Sequence, residues 1–277
     1  MARGETVAQA VPVTVFPDGW DSEARLVDGR WVERRPRRPE VAARLLAETR
    51  LMPWLAPRLP LAVPVPRVLT HDPLAVRHAL VPGAPLEHPT PRDGRLLGRF
   101  LRALHTVDAA DAVRHGALPA GAARAERAEE GADFRRRVLP LLPPERHRSA
   151  AALLDAVRAL PAAALVHGDL GPEHLLAEEA PPTGPLTGVI DFGDAHVGDP
   201  AIDLAWALYG AGRAVADAVA ETYPVTRELR ARALLWHRLG PWYEVTHGLD
   251  TGDAGTVASG LAGVCDRLGA GPPPPGR

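Results

Sequence analysis

Lysine and asparagine are both missing from the 277 residues, so each of the 32 basic side chains is an arginine. A step that calls for an ammonium or an asparagine carboxamide must be served by another group. With the excess of Ala, Arg, Gly and Pro, the pattern is that of a GC-rich coding sequence, and an arginine in place of a lysine carries little meaning in itself. Cysteine occurs once, as Cys265, which excludes internal disulfides and thiolate metal clusters and fits a reducing compartment. No hydrophobic run approaches the ~20 residues of a membrane span. The N-terminus has no apolar core of the secretory kind. The expectation is a cytoplasmic protein with no membrane contact.

The 32 basic residues face 34 acidic ones, a net charge of -2, which excludes nucleic-acid binding driven by bulk positive charge. The distribution is uneven. Residues 1–80 carry 12 arginines and 9 acids, and the remainder 20 arginines and 25 acids. One part favours an anion and the other a cation.

Short β-prone runs at Val11–Phe16, Arg25–Val27 and Arg30–Val32 are punctuated by Pro17-Asp18-Gly19 and Asp28-Gly29. An Asp-Gly pair between such runs predicts a hairpin. After Pro36 the period changes: Val41, Leu45, Glu48, Met52 and Leu55 recur at helical spacing behind Pro39, with Pro53 in the last turn. Pro57–Pro66 reads as extended, Arg67–Leu69 and Val76–Val81 as strands, and Pro82-Gly83-Ala84-Pro85 as a break. The expected organisation is residues 1–81 as a small β-rich lobe with one helix and 82–268 as a larger lobe. The larger lobe is helical at 92–106, 122–160 and beyond Pro200, with short strands at 164–195 around a loop at 180–188. Residues 269–277 form a flexible Pro/Gly tail.

The chemistry concentrates in two stretches, Leu165-Val166-His167-Gly168-Asp169-Leu170-Gly171-Pro172-Glu173-His174 and Gly188-Val189-Ile190-Asp191-Phe192-Gly193-Asp194-Ala195-His196. Each sets carboxylates directly after a short apolar strand, so that the strand anchors an acid facing a cleft. In phosphoryl transfer this spacing has a use. Asp169 can accept a hydrogen bond from an attacking hydroxyl, while His174 and Asp191 on a neighbouring strand can hold a metal that bridges nucleotide phosphates. Orientation and charge compensation then do most of the catalysis.

With His167-Gly168-Asp169-Leu170, Asp191-Phe192-Gly193 and Asp199-Pro200-x-x-Asp203 in this order, residues 19–268 resemble the aminoglycoside phosphotransferase family. These are antibiotic kinases with a protein-kinase-like fold. The resemblance implies an α+β, two-lobe architecture with Asp169 as catalytic base, Asp191 on Mg²⁺ and Asp203 as a structural support. His174 stands where most members carry asparagine, which is similar to the macrolide kinase and aminoglycoside 2″-kinase branches. The resemblance implies His174 as the second metal residue; imidazole is an awkward partner for Mg²⁺, which prefers oxygen, and a loop histidine bonded to its own backbone is the alternative.

The small lobe offers a check. Glu48 lies on the apolar stripe of its helix, where a carboxylate is costly unless it meets a cation. Arg34, at the β3 position implied by the resemblance, and Arg35, one register step away, both qualify as partner. Ser22 and its backbone stand where the family contacts phosphate. Leu80 opens the segment expected to bind the base of ATP or GTP by main chain. In the acidic larger lobe, Glu126, Glu129, Glu130, Asp133 and Glu244 are candidate contacts to a cationic substrate, or simply a solvated face. Trp236, Trp242 and Tyr243 either line a pocket or fill the core.

The expected function is a monomeric small-molecule kinase acting on an antibiotic hydroxyl, aminoglycoside or macrolide, with ATP or GTP as donor. Kinases of this fold that act on choline, homoserine or fructosamine make a metabolite substrate the alternative. A metal-dependent hydrolase built on His167, Asp169, His174, Asp191, Asp194 and His196, and an inactive nucleotide-binding module, are the readings from other classes.

Overall fold

The computed structural model describes residues 13–16, 22–178 and 184–269. The expected turn at Asp18-Gly19-Trp20-Asp21, the first part of the expected 180–188 loop and the expected tail after Gly269 lie outside the described residues. Strands β1 (Val13–Phe16), β2 (Ser22–Val27), β3 (Trp31–Pro36), β4 (Arg67–His71) and β5 (Leu74–Ala79) form one antiparallel sheet in the order β1-β2-β3-β5-β4. Asp28 and Gly29 both have positive φ, 56° and 59°, the geometry an Asp-Gly hairpin turn requires.

Helix α1 (Pro39–Leu55) starts on Pro39 and tolerates Pro53 in its last turn. Its stripe serves two cores. Val41 and Leu45 pack on Val76 and Leu74 of the sheet, whereas Leu51, Met52 and Leu55 enter the main core of the larger lobe. The cleft-facing part of α1 is therefore held from both sides. Trp54 adds a ring stack on His115 at 4.7 Å. The Pro-rich run after α1 opens with a 3₁₀ turn at Ala56–Arg58 and then pairs through Ala62 with Gly188.

The larger lobe contains β6 (Ala84–Pro85), α2 (Pro91–His105), α3 (Ala109–Arg114), α4 (Ala120–Arg137), α5 (His147–Arg158) and β7 (Ala164–Val166). It continues with β8 (Leu175–Ala177), β9 (Leu186–Val189), β10 (His196–Gly198), α6 (Ala205–Tyr209), α7 (Arg213–Ala220), α8 (Arg227–Thr251) and α9 (Ala254–Gly269). A capping box joins Thr90 and Asp93 at the start of α2, and Asp93 also accepts from the Leu186 N–H at 2.9 Å. That bond fixes α2 to the sheet carrying the second acidic stretch. Leu97, Phe100, Leu101 and Leu104 of α2 are at most 1% exposed, each worth about 1.5–3 kcal/mol of burial. Gly98 lets α2 approach α7, since a Cβ there would lie 2.2 Å from Thr222 Oγ1.

The strands directly before Asp169 and Asp191, β7 and β9, do not pair with each other, yet the two acidic stretches are neighbours through two other strand pairings. β7 pairs with β10, and β9 pairs with β8 in the sheet β6-β8-β9. Strands of three or four residues carry too little pattern to specify a partner. The β8–β9 hairpin is what sets His174 beside Asp191, through Leu175 opposite Val189 and the Ile190 N–H on the His174 carbonyl at 2.9 Å. Strand β9 begins at Leu186, inside the stretch expected to be loop. Among the described residues no helix is long and apolar enough to cross a membrane.

Candidate active site

The loop after β7 is held from below. Asp203, 1% exposed, accepts the His167 N–H at 2.7 Å on Oδ2 and the Gly168 N–H at 2.9 Å on Oδ1. His105 Nε2 meets the same Oδ2 at 3.0 Å. Burial works against the Asp203 charge, but these hydrogen bonds and the nearby imidazoles hold its carboxyl below the usual range. His167 donates from Nε2 to the Ile190 carbonyl at 2.8 Å and accepts the Asp169 N–H on Nδ1 at 3.3 Å. Gly168 has φ +92°, and a Cβ there would lie 2.6 Å from the Asp194 carbonyl, so no other residue fits without displacing the loop. The result is an Asp169 side chain 60% exposed to the cleft. Desolvation raises its carboxyl; His174 and His167 oppose this while Asp194 and Asp191 add to it.

His174 donates from Nδ1 to the Asp169 carbonyl at 2.7 Å, which turns its Nε2 towards Asp191 Oδ2 at 3.8 Å. Burial lowers the His174 pKa, yet that hydrogen bond and the carboxylates of Asp169 and Asp191 leave it raised. Asp191 has φ +63°, uncommon for a non-glycine residue. Burial is outweighed there by Arg34 and the two imidazoles, so the carboxyl stays below its ordinary range.

The small lobe answers the Arg34 or Arg35 alternative. Arg34 Nη1 binds both oxygens of Glu48, at 2.9 and 3.2 Å, its Nε donates to Ser22 Oγ at 3.2 Å, and Nη2 stands 3.5 Å from Asp191. Arg35 is on the exposed face of β3. Glu48 is 4% exposed. Burial pushes its carboxyl up to about 7, with Arg34 pulling the other way. Arg34 is thus the partner of Glu48, with a fork that reaches Glu48 and Asp191 together. Leu80 gives its N–H to the Arg30 carbonyl at 2.8 Å, so a base edge here would meet the neighbouring main-chain groups.

The sequence does not single out two features, Arg44 and His78, and it leaves Tyr243 between pocket and core. Arg44 of α1 crosses the cleft to Asp194 at 2.5 Å; it lies one helical turn before Glu48, a spacing that puts both on one face. His78, opposite Val32 on β5, is 7% exposed and donates from Nδ1 to the Ala79 carbonyl at 2.8 Å. Desolvation holds it below the ordinary histidine range. Tyr243 is 40% exposed, with its hydroxyl on Glu130 Oε2 at 3.1 Å. Trp236 and Trp242 do fill the core.

Among the acids expected to face a substrate, Glu130 shares its surroundings with Glu126, Asp194 and Arg44. Asp194 in turn neighbours Asp169. Asp194 is thus within electrostatic reach of both Asp169 and Glu130, with Arg44 paired to it. Asp133 is engaged by Arg136 and Arg137. Glu244 lies near Arg267 of α9.

The donor set suits a metal ion shared with a nucleotide better than a closed metal centre. Among the described residues no group of three His, Cys, Asp or Glu converges. His167 has both ring nitrogens engaged, Nε2 with the Ile190 carbonyl and Nδ1 with the Asp169 N–H, which removes it from the ligands a dinuclear hydrolase would need. His174 Nε2 and Asp191 remain as a two-residue pair that would need phosphate oxygens and water to complete a shell. A carboxylate completed by phosphate oxygens and water is the common way of holding Mg²⁺ at a nucleotide, and Asp191 supplies that carboxylate.

The family model described as "Phosphotransferase enzyme family" matches residues 12–242. Viomycin phosphotransferase of Streptomyces vinaceus is 34% identical over 145 residues, 49% of this chain and 50% of that protein, so the chain spans about half the length of that relative. The solved GDP and kanamycin complex of an APH(2″) enzyme shares the fold, with a TM-score of 0.80 at 23% identity over 95% of this chain and 94% of the other. Macrolide 2′-phosphotransferase type I gives 0.71 at 28% identity over 91% and 90%. With its two-lobe α+β fold and a family match over most of its length, the chain belongs to the phosphotransferase enzyme family.

Proposed function

We propose that this protein transfers the γ-phosphoryl group of ATP or GTP to a hydroxyl of an amine-bearing antibiotic. The observation that carries the reading is the juxtaposition of Asp169, His174 and Asp191 with the Arg34–Glu48 pair at one cleft between the lobes. Asp169 orients the acceptor hydroxyl. The hydroxyl oxygen bonds to the γ-phosphorus as the bond to the leaving diphosphate oxygen breaks, and its proton passes to the Asp169 carboxylate. Arg34 steers the phosphates from the small-lobe side, its fork fixed by Glu48. Asp191 and His174 are the residues that would hold Mg²⁺, which supplies charge neutralisation on the phosphates when bound.

The acceptor is proposed to be read by Asp194 and Glu130. Asp194 and Glu130 present negative charge beside the exposed ring of Tyr243, a carboxylate and aromatic pairing that favours an amine. Aminoglycosides, macrolides and cationic peptide antibiotics all carry amines. The protein is proposed to act as a monomer in the cytoplasm, where the nucleotide is available. Asp169→Ala should abolish transfer while leaving nucleotide affinity within about twofold, as a positioned base contributes ~10²–10⁴ to the rate. Transfer that persists in this variant would remove Asp169 from the mechanism.

A further inference from the structure

Beneath the loop that carries Asp169, three buried side chains form a chain of hydrogen bonds reaching a residue outside every motif. Asp203 Oδ2 faces His105 Nε2 at 3.0 Å, and His105 Nδ1 faces the Tyr223 hydroxyl at 2.8 Å. The His105 side chain is 4% exposed and Tyr223 is 7% exposed. Their rings meet edge to face at 5.5 Å and 87°. Tyr223 lies between α7 and α8, and its N–H on the Val219 carbonyl at 2.9 Å anchors its backbone to the end of α7.

The direction of the first bond follows from its neighbours. Asp203 already accepts two backbone N–H groups, and as a carboxylate it can only accept, so His105 Nε2 must carry a hydrogen. The Tyr223 hydroxyl, 2.8 Å from Nδ1, can donate to it, and this donation is the arrangement on which the proposal is built. A histidine that accepts at Nδ1 and donates at Nε2 is the neutral Nε2–H tautomer. The two Asp203 oxygens are thereby left directed at the amides of His167 and Gly168, the residues that set where Asp169 points.

We propose that Tyr223 is a positioning residue for phosphoryl transfer. It fixes the His105 tautomer and so keeps Asp203 clamped on the loop that presents Asp169. The catalytic part rests on the reading of Asp169 as the base; the positioning part stands on geometry alone. Gly168 makes the link sensitive, because its tight approach to the Asp194 carbonyl leaves the loop little room to settle elsewhere.

Tyr223→Phe keeps the ring contact and removes only the hydroxyl. ¹⁵N spectra of the His105 imidazole should show the Nε2–H tautomer in the native protein and a mixed population in the variant. Amide exchange at His167 and Gly168 should quicken about fivefold, the equivalent of one neutral hydrogen bond of about 1 kcal/mol. The kcat should fall by a similar factor with both KM values unchanged. In a His105→Ala background, Tyr223→Phe should add nothing to the loss of kcat. An unchanged tautomer with unchanged amide exchange overturns the proposal, as does additivity of the two substitutions. If no antibiotic is phosphorylated at all, the functional reading fails while the tautomer and exchange measurements still decide the positioning.

Discussion

Replacing Glu48 by alanine tests the internal logic of the cleft. Glu48 is 4% exposed, and its two oxygens bind Arg34 Nη1 at 2.9 and 3.2 Å. The Arg34 side chain is itself only 14% exposed. Glu48→Ala leaves this guanidinium with Ser22 Oγ and Asp191 at 3.5 Å as its partners among those described here. Breaking a buried pair from one side costs about 3–5 kcal/mol, and the residual attraction of Asp191 favours the lower end, about 3 kcal/mol. Glu48→Gln keeps an acceptor for Arg34 and removes the charge, so it separates packing from titration.

The Glu48 carboxyl titrates near 7 in the folded protein against a reference of 4.5, so the folded state holds this proton more tightly than the unfolded chain. The associated stability is complete below about pH 4.5 and is lost as pH rises to about 7, by as much as ~3 kcal/mol. Urea denaturation of wild type, Glu48→Ala and Glu48→Gln across pH 4.5 to 8 measures both effects. The difference between wild type and Glu48→Gln should move in favour of the glutamine variant as pH rises, and Glu48→Ala should be the least stable. A cost below about 1 kcal/mol for Glu48→Ala, in the range of an exposed pair, would refute the argument that the pair is buried and mutually dependent. A difference between wild type and Glu48→Gln that does not change with pH would refute the raised carboxyl.

Arg44→Ala should change stability by less than about 1 kcal/mol, since both members of its pair with Asp194 are about half exposed. It should lower the KM for an amine-bearing acceptor by freeing Asp194, as steady-state kinetics would show. Gly98→Ala should destabilise by about 1–3 kcal/mol, because its Cβ would meet Thr222 Oγ1 at 2.2 Å and the Val219 carbonyl at 2.8 Å; thermal unfolding measures it. Glu130→Gln and Tyr243→Phe should each raise the acceptor KM with little change in nucleotide affinity, whereas Glu244→Gln, near Arg267, should leave the acceptor KM unchanged.

Much of this site is legible in the sequence because chemistry and pattern conflict there. A glutamate on an apolar stripe asks for a cation, and the structure supplies Arg34. The Asp28-Gly29 hairpin and the helix start at Pro39 follow from local backbone preferences. What sequence does not show is set by tertiary choice. The stripe from Val41 to Leu55 reads as one face, yet its halves enter two cores. Strands as short as β7 and β10 find partners by the packing around them. Tyr243 and Glu244 are adjacent on α8 and differ by about 100° around its axis. Only the packed position of α8 sends the first towards Glu130 and the second towards Arg267. The bonds of Asp203 to His105 and of His105 to Tyr223 join positions 98 and 118 residues apart, which no local pattern reveals.

The most direct test is mass spectrometry of aminoglycosides, macrolides and cationic peptide antibiotics, each incubated with the protein, Mg²⁺ and either ATP or GTP. The expected result is a gain of one phosphoryl mass on at least one amine-bearing compound, lost in Asp169→Ala. No gain on any compound, with nucleotide binding confirmed separately, would contradict the proposed activity.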